Sequence, residues 1–528
     1  MSLGPGATTG TATYPQYPAK YSYSIDPNTE LCTDYAAFPT NVPGVTGTSV
    51  GSPGQPSIIA YQNLYTAADG SGACAPFLAP TVAWAYNTNG AGDTTGVVSG
   101  SPVLSGDGTK LAFVESNSGG SILHLLLYAV GDGTDPGSGA VVTAAPTNLL
   151  ASGSGWNACP TNGTSCMISL TFSTSTAVNS SPFYDFAYDT LYLGDDAGVL
   201  HKFTGVFGGT PAEVTTGWPI TVHTGVALTP PVFDSVTRNI LVGDATGVLS
   251  YVRDTGSSIG GCAIGVPPCL GSTTVLATDG STPIIDSPML DPTTGKVFVF
   301  VGDSGSNSTS VLSVSRGAYL VQANVDLSGL VRLTMGAFGG PLHSGAFDNT
   351  YLSSSPGSIA GHMWVCAKGT IDRPTLRRVS FLADGTITSG GLGTLQVGQN
   401  TGSAGQCSPV TEIFNPNVGS SGTDFIFFSV QSGDLARIGT ALTNCIGTGC
   451  VMSAVIPTTG FLPASLNNSA PEFGGTSGII IDNVGTFGQD SSLYFSRLAQ
   501  TPLSSCGGGV GDSTMVGCAV KLTQSGLN

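Results

Sequence analysis

Charge is what this chain has least of. Only 9% of its 528 residues are charged, against about 25% in an average soluble protein. Lys and Arg together number 15, Asp and Glu 32, giving a net charge of −17. Nucleic acids and anionic membrane surfaces are bound by clustered cations that release counterions, so neither partner is expected. Long apolar runs are also missing: the longest, Ile122 to Val130, contains His124 and is too short to span a bilayer. The first residues show no charged segment followed by an apolar one, so no secretory leader is expected within this sequence. No CxxC motif and no Cys/His cluster occurs, which excludes the usual zinc spacings.

Glycine, by contrast, is abundant at 76 residues, and the 12 cysteines fall into neighbouring pairs along the chain. The expected pairs are Cys32 with Cys74, Cys159 with Cys166, Cys262 with Cys269, Cys366 with Cys407, Cys445 with Cys450, and Cys506 with Cys518. Sequence alone does not prove that connectivity. An even count without metal-ligand spacing reads as structural disulfides formed in an oxidising compartment, so a secreted, extracellular or cell-surface protein is expected. The pairs 159/166, 262/269 and 445/450 are read as staples between the third and fourth strands of their repeats.

Residues 181 to 254 contain one pattern twice. Ser181-Pro-Phe-Tyr-Asp185, Leu191-Tyr-Leu-Gly-Asp195 and Gly198-Val-Leu-His-Lys202 are followed by Pro230-Pro-Val-Phe-Asp234, Ile240-Leu-Val-Gly-Asp244 and Gly247-Val-Leu-Ser-Tyr251. Short apolar runs separated by turn residues make an antiparallel meander, and a repeated meander stacks on its neighbour to bury its second face. Similar starts occur near residues 101, 181, 230, 287, 344, 408 and 477. Seven starts, irregularly spaced, predict an all-β, seven-bladed β-propeller of four-stranded antiparallel blades over residues 56–528, preceded by an N-terminal extension over residues 1–55. An N-terminal strand, Val82 to Tyr86, is expected to complete the last blade and remove the open sheet edges. Eight blades are the alternative if Ser57 to Ala67 begins its own sheet. In the sixth repeat the third strand is expected at Leu435 to Ile438.

Ser101, Ser181, Ser287, Ser344, Ser408 and Ser477 open these repeats. Innermost strands converge on a narrow axis, so small residues are required there; no Gly-x-Ser-x-Gly elbow marks any of them as a nucleophile.

The pattern Ser-Pro-Val, strand, Gly-Asp-x-x-Gly-x-Leu resembles the blades of pyrroloquinoline-quinone-type (PQQ-like) propeller repeats. Ser101-Pro-Val-Leu-Ser-Gly-Asp-Gly-Thr-Lys-Leu-Ala-Phe113 resembles the PD40 (WD40-like) repeat of periplasmic propellers. Most of the chain, including Gln16-Tyr-Pro-Ala-Lys-Tyr-Ser22 and Ala519-Val-Lys-Leu-Thr-Gln524, is similar to secreted bacterial propeller proteins. The resemblance implies a fold and not a chemistry. Quinone-dependent members use an adjacent Cys-Cys pair and Trp-rich docking motifs, whereas this chain has no such pair and four tryptophans, Trp84, Trp156, Trp218 and Trp364. The fold is carried over and the redox cofactor is not.

Aligning the repeats puts Glu115, Asp195, Asp244 and Asp303 at one equivalent position, the start of the loop from second to third strand, where Ala367, Val430 and Arg497 stand in the last three. Two readings are open. The acids, Asp195, Asp244 and Asp303 above all, form a site for calcium or another hard cation, or for a cationic or hydroxyl-rich ligand. Alternatively, each closes its own tight turn by side chain to backbone bonding. His223 and His343 lie in linkers on the same face and join the acids as candidate ligand-binding residues, while His124, His201 and His362 lie in or beside strands. Asp132 and Asp135 lack the full calcium-loop pattern and read as turn residues. No catalytic residue is assigned. The expected function is a binding or scaffold module for a glycan or protein ligand on the propeller face. The alternatives are an extracellular glycan hydrolase or lyase with its site on the acidic face, and a subunit that self-assembles through its N-terminal extension.

Overall fold

The repeated pattern does fold as hairpins stacked in register. Phe183–Asp185, Thr190–Gly194 and Val199–Thr204 pair antiparallel, with Phe183 opposite Tyr192 and Leu193 opposite His201. Alternate side chains of Thr190–Gly194 face the sheets on either side, so the whole strand is buried. The structure is a computed structural model that describes residues 1–5, 16–26, 29–67, 69–70, 72–90, 92–255, 267–277, 284–305, 316–369, 373–398, 406–431, 437–438, 440–441, 445, 449–457, 468–483, 491–502, 506 and 515–523.

These residues form eight blades, each of at least four strands. Here the strands are lettered A to D from the axis outward. Blade 1 is Ala19–Tyr21, Tyr35–Pro39, Ile58–Gln62 and Thr81–Tyr86. Blade 2 is Val103–Leu104, Lys110–Asn117, Gly120–Leu127 and Cys166–Ser173, with Asn148–Leu150 added in parallel outside it. Blade 3 follows its hairpins with Ala212–Glu213 and Ile220–Thr221, both paired to strand C. Blade 4 is Val232–Asp234, Asn239–Gly243, Val248–Arg253 and Cys269–Val275. Blade 5 is Met289–Asp291, Lys296–Val301, Ala318–Asn324 and Val331–Gly336. Blade 6 is Ala346–Phe347, His362–Lys368, Pro374–Phe381 and Ile387–Gln396. Blade 7 is Thr411–Asn415, Thr423–Val430, Cys450–Val455 and Asn468–Pro471. Blade 8 is Ile480–Asp482, Ser492–Ser496 and Met515–Thr523, completed by Ser2–Pro5 from the other end of the chain.

Eight blades replace the seven expected. The additional one is built from Ala19–Tyr21 and Tyr35–Pro39, inside the expected N-terminal extension, and from Ile58–Gln62 beyond it, so residue 55 is not a boundary between sheets. Val82 to Tyr86 belongs to strand D of this blade and does not close the ring. Closure falls to Ser2–Pro5, whose Leu3 is fully buried and whose Met1 ammonium donates to the Ala519 carbonyl at 3.0 Å. Blade 7 brings a second correction. Its strand C is Cys450–Val455, while Arg437–Ile438 pair with Thr440–Ala441 in a separate ribbon; Leu435 lies outside the described residues.

The serines at the blade starts hold the axis together by hydrogen bonds. The Tyr17 N–H donates to Ser101 Oγ at 2.8 Å, and the Ser101 N–H donates to Ser181 Oγ at 2.8 Å, linking blades 1, 2 and 3. In blades 7 and 8 the hydroxyls of Ser408 and Ser477 accept the N–H groups of Ser429 and Ser496 at the end of strand B. Between blades the core is apolar. Phe298, Met363, Val365 and Val379 pack blade 5 against blade 6, and Trp84 and Phe113 pack blade 1 against blade 2. Each such side chain contributes about 2 kcal/mol by leaving water.

Candidate functional site

One end of the ring carries the B–C turns and the linkers between blades; the other carries the A–B and C–D turns. The four aligned acids all lie at the B–C end, at the close of strand B, and all are buried. Each is engaged by its own chain. Glu115 accepts from Thr88 Oγ1 at 2.7 Å and lies 3.5 Å from His124 Nε2. Asp195 accepts the N–H groups of Ala197 and Val199, the Ser173 hydroxyl at 2.5 Å, and faces His201 Nε2 at 3.4 Å. Asp244 accepts the N–H groups of Thr246 and Val248 and meets His223 Nδ1 at 2.6 Å. Asp303 accepts the Gly305 N–H and two bonds from the Arg316 guanidinium, at 2.8 and 2.6 Å.

The turn geometry explains the recurring Gly after each Asp. Gly198 has φ +85°, and a Cβ there would lie 1.7 Å from the His223 carbonyl oxygen. The acid then nests in the N–H groups that the tight turn points inward. Burial alone would raise the Asp195 carboxyl, but His201, Ser173 and the Val199 N–H hold it below its ordinary value. Burial likewise opposes the charge on His201, yet Asp195 and Glu213, the latter 2.7 Å from Nδ1, raise it.

The acids are therefore separate turn and ion-pair units. Among the described residues no three His, Cys, Asp or Glu side chains converge to hold a metal ion. Of the two candidate histidines, His223 is the partially exposed mate of Asp244, and His343 is buried against Asp286 at 3.0 Å. Asp132 accepts from Tyr86 and Ser165, and Asp135 from Ser138, which makes both of them structural.

Two cavities lie along the axis. The first, about 560 Å³, is lined by residues from all eight blade starts, among them Ser101, Ser181, Ser287 and Ser344. The buried Gln16 side chain also lines it, with Nε2 donating to the Val98 carbonyl at 2.8 Å. Tyr17 crosses from blade 1: a Cβ on Gly478, at the start of blade 8, would strike its ring, so the glycine makes room for it. The second cavity, about 620 Å³, opens at the A–B end between blades 1 and 3, with Val103, Leu104 and Gly106 of blade 2 as its floor. Its walls are Tyr21 on one side and Phe183, Tyr184 and Phe186 on the other. Gly108, at φ +67°, lets the Tyr21 ring lie against the blade 2 turn, because a Cβ there would meet that ring at 2.3 Å. Sequence reasoning missed this mouth, although Tyr184-Asp185-Phe186-Ala187-Tyr188 shows aromatic residues crowded onto a turn.

The disulfides sort by end. Cys32–Cys74 and Cys159–Cys166 lie at the A–B and C–D end of blades 1 and 2. Cys366–Cys407, Cys445–Cys450 and Cys506–Cys518 lie at the B–C end of blades 6 to 8. Cys445–Cys450 therefore lies between strands B and C, not C and D as expected, because Cys450 opens strand C. Cys262 lies outside the described residues.

Together these features define a WD40-like β-propeller with eight blades. Its likeness to a solved structure, Sqt1 from Chaetomium thermophilum, spans 98% of each chain with a TM-score of 0.50 at 11% identity, and establishes the fold alone. The same protein bound to the N-terminus of the ribosomal protein L10 aligns over 98% of this chain and 100% of that one, with a TM-score of 0.48 and 11% identity. BamB from Moraxella catarrhalis aligns over 95% and 97% of the two chains, with a TM-score of 0.38 and 11% identity. No known family's sequence profile matches this chain, and no curated protein matches it.

Proposed function

We propose that this protein is an extracellular, non-catalytic binding module whose ligand site is the aromatic mouth at the A–B end. The observation that carries the reading is a contrast. The acids at the B–C end are each bonded by turns and neighbouring side chains of the chain itself, whereas the mouth is walled by the half-buried Tyr21 and Tyr184 and the exposed Phe186. Pockets of this size with apolar, aromatic walls and few polar groups suit binding. The disulfides support an oxidising compartment. No helix among the described residues is long and apolar enough to cross a membrane.

Glycan cleavage would call for two carboxylates flanking an accessible bond. Glu412 and Asp424 do interact, burial and the neighbouring Asp424 pushing Glu412 up to about 10, but neither lines an axial cavity. Self-assembly through a protruding N-terminal extension has no support in the described residues, since Ser2–Pro5, Ala19–Tyr21 and Tyr35–Pro39 are strands of the ring. The test is to probe peptide and glycan arrays with labelled protein. Signals lost in Phe186→Ala and kept in His223→Ala are expected. Signals lost only in His223→Ala, or glycan products released into solution, would overturn the reading.

A further inference from the structure

We propose that the occupant of this mouth is a cationic apolar peptide segment, one that carries Arg or Lys beside aliphatic or aromatic side chains. The inference rests on the mouth being the ligand site.

Three observations select this chemistry. First, the polar groups of the walls are already spent. The Tyr21 hydroxyl donates to the Gly106 carbonyl at 2.6 Å and the Tyr184 hydroxyl donates to Asp189 at 2.9 Å. The cavity thus offers ring faces and aliphatic floor, and little of the dense hydrogen bonding that a neutral sugar requires. Second, the rim is negative. Asp107, Asp185 and Asp189 stand on the turns of blades 2 and 3 that frame it. The cation lining the cavity, Lys20, is paired with buried Asp482 at 2.7 Å. Asp185 accepts the Ala187 N–H through one oxygen, while its buried Oδ2 has no hydrogen-bond partner. Burial, followed by the neighbouring acids, raises both phenols, consistent with a negative field across the walls. Third, rings at this end already accept cations from the chain itself. The Arg238 guanidinium stacks 4.5 Å from the Tyr188 ring centroid and 4.7 Å from that of Phe233. A guanidinium or ammonium seated between Tyr21 and Phe186 would gain the same attraction with part of its water removed, and the net charge of −17 would steer it there.

Phe186 is 68% exposed, so replacing it leaves the core intact. The full chain is titrated with three probes: a capped hexapeptide alternating Leu and Arg, its Leu and Glu counterpart, and a neutral glucose hexasaccharide. The Arg peptide should bind at least about tenfold tighter than the Glu peptide, lose about tenfold in Phe186→Ala, and lose about threefold in Asp185→Asn. Equal affinity for the two peptides, or Arg-peptide binding indifferent to Phe186→Ala, overturns the proposal. Saccharide binding that Phe186→Ala abolishes, without peptide binding, would overturn the ligand class and leave the mouth as the site. If no probe responds to Phe186→Ala, both readings fall.

Discussion

The close of strand B is built in two ways around this ring. In blades 2 to 5 a buried acid stands there and is matched by the side chains of His124, His201, His223 and Arg316. In blades 6 to 8 the same end is tied by Cys366–Cys407, Cys445–Cys450 and Cys506–Cys518. Both devices perform one task, fixing the B–C end of the blade. The difference teaches that the acids can be read as fixing their own turns, since the same end of blades 6 to 8 is fixed by disulfides and, at Arg497, by an ion pair with Glu472 at 2.5 Å. It also divides the ring into a half held at this end by buried acids and their partners and a half held there by disulfides, with the Arg497–Glu472 pair added in blade 8.

Breaking the covalent half should have the largest effect. Replacing Cys366 and Cys407 by Ser releases a link spanning 41 residues. A loss of about 3 to 4 kcal/mol is expected in denaturant unfolding, with blades 2 to 5 the last to exchange their amide hydrogens. Uniform loss of protection around the ring would erase the distinction between halves.

The electrostatic half breaks at Asp195. Asp195→Ala strips the Val199 N–H, Ser173 and His201 of one partner and should cost about 2 to 3 kcal/mol. Its pH dependence has two limbs. The carboxyl is held below its ordinary value, so its contribution is present above about pH 4 and fades as pH falls through the lowered value. The imidazolium of His201 is raised, so its contribution is full below about pH 6.5 and fades as pH rises through the raised value. Asp195→Asn should flatten both limbs in a stability profile; an unchanged profile would show that the pair is not coupled to folding.

A smaller effect of opposite sign is expected at Glu412. Burial and Asp424 raise its carboxyl to about 10, so the folded state holds a proton that the unfolded chain releases near pH 4.5, and stability drains away as pH rises between those values. Glu412→Gln should stabilise the protein by about 1 kcal/mol at pH 8, a figure reduced for the partial exposure of the pair, and by nothing near pH 4. Destabilisation at pH 8 would refute the raised carboxyl of Glu412. The smallest effect belongs to metal removal: EDTA should leave the melting temperature unchanged, since no metal-binding cluster exists among the described residues. A calcium-reversible drop would show a metal bound to the folded state and make these acids its first candidate ligands.

What the sequence made legible follows from what recurs locally. Seven blades announce themselves because each opens on a Ser-Pro, Pro-Pro or Ser-Gly start, followed in blades 3 to 5 by a Gly-Asp turn. Blade 1 does neither: it opens at Tyr17-Pro18 and ends strand B at Pro39-Thr40, so its strands passed for an extension. Placing the acids at the close of strand B was a local inference and agrees with the structure. Their partners were not local. Thr88 reaches Glu115 from the preceding blade, and Arg316 reaches Asp303 across a loop, contacts that depend on packing. The mouth was invisible for the same reason, since its two walls come from strands about 160 residues apart that are brought together only by stacking on either side of blade 2.

Hydrogen exchange with the Leu and Arg hexapeptide bound puts the two ends of the ring in direct competition. Protection at residues 103–108 and 183–188, with the turns after Glu115, Asp195, Asp244 and Asp303 unchanged, is the result predicted for a ligand seated in the aromatic mouth. Protection confined to those B–C turns would place the ligand on the acidic face and contradict the account.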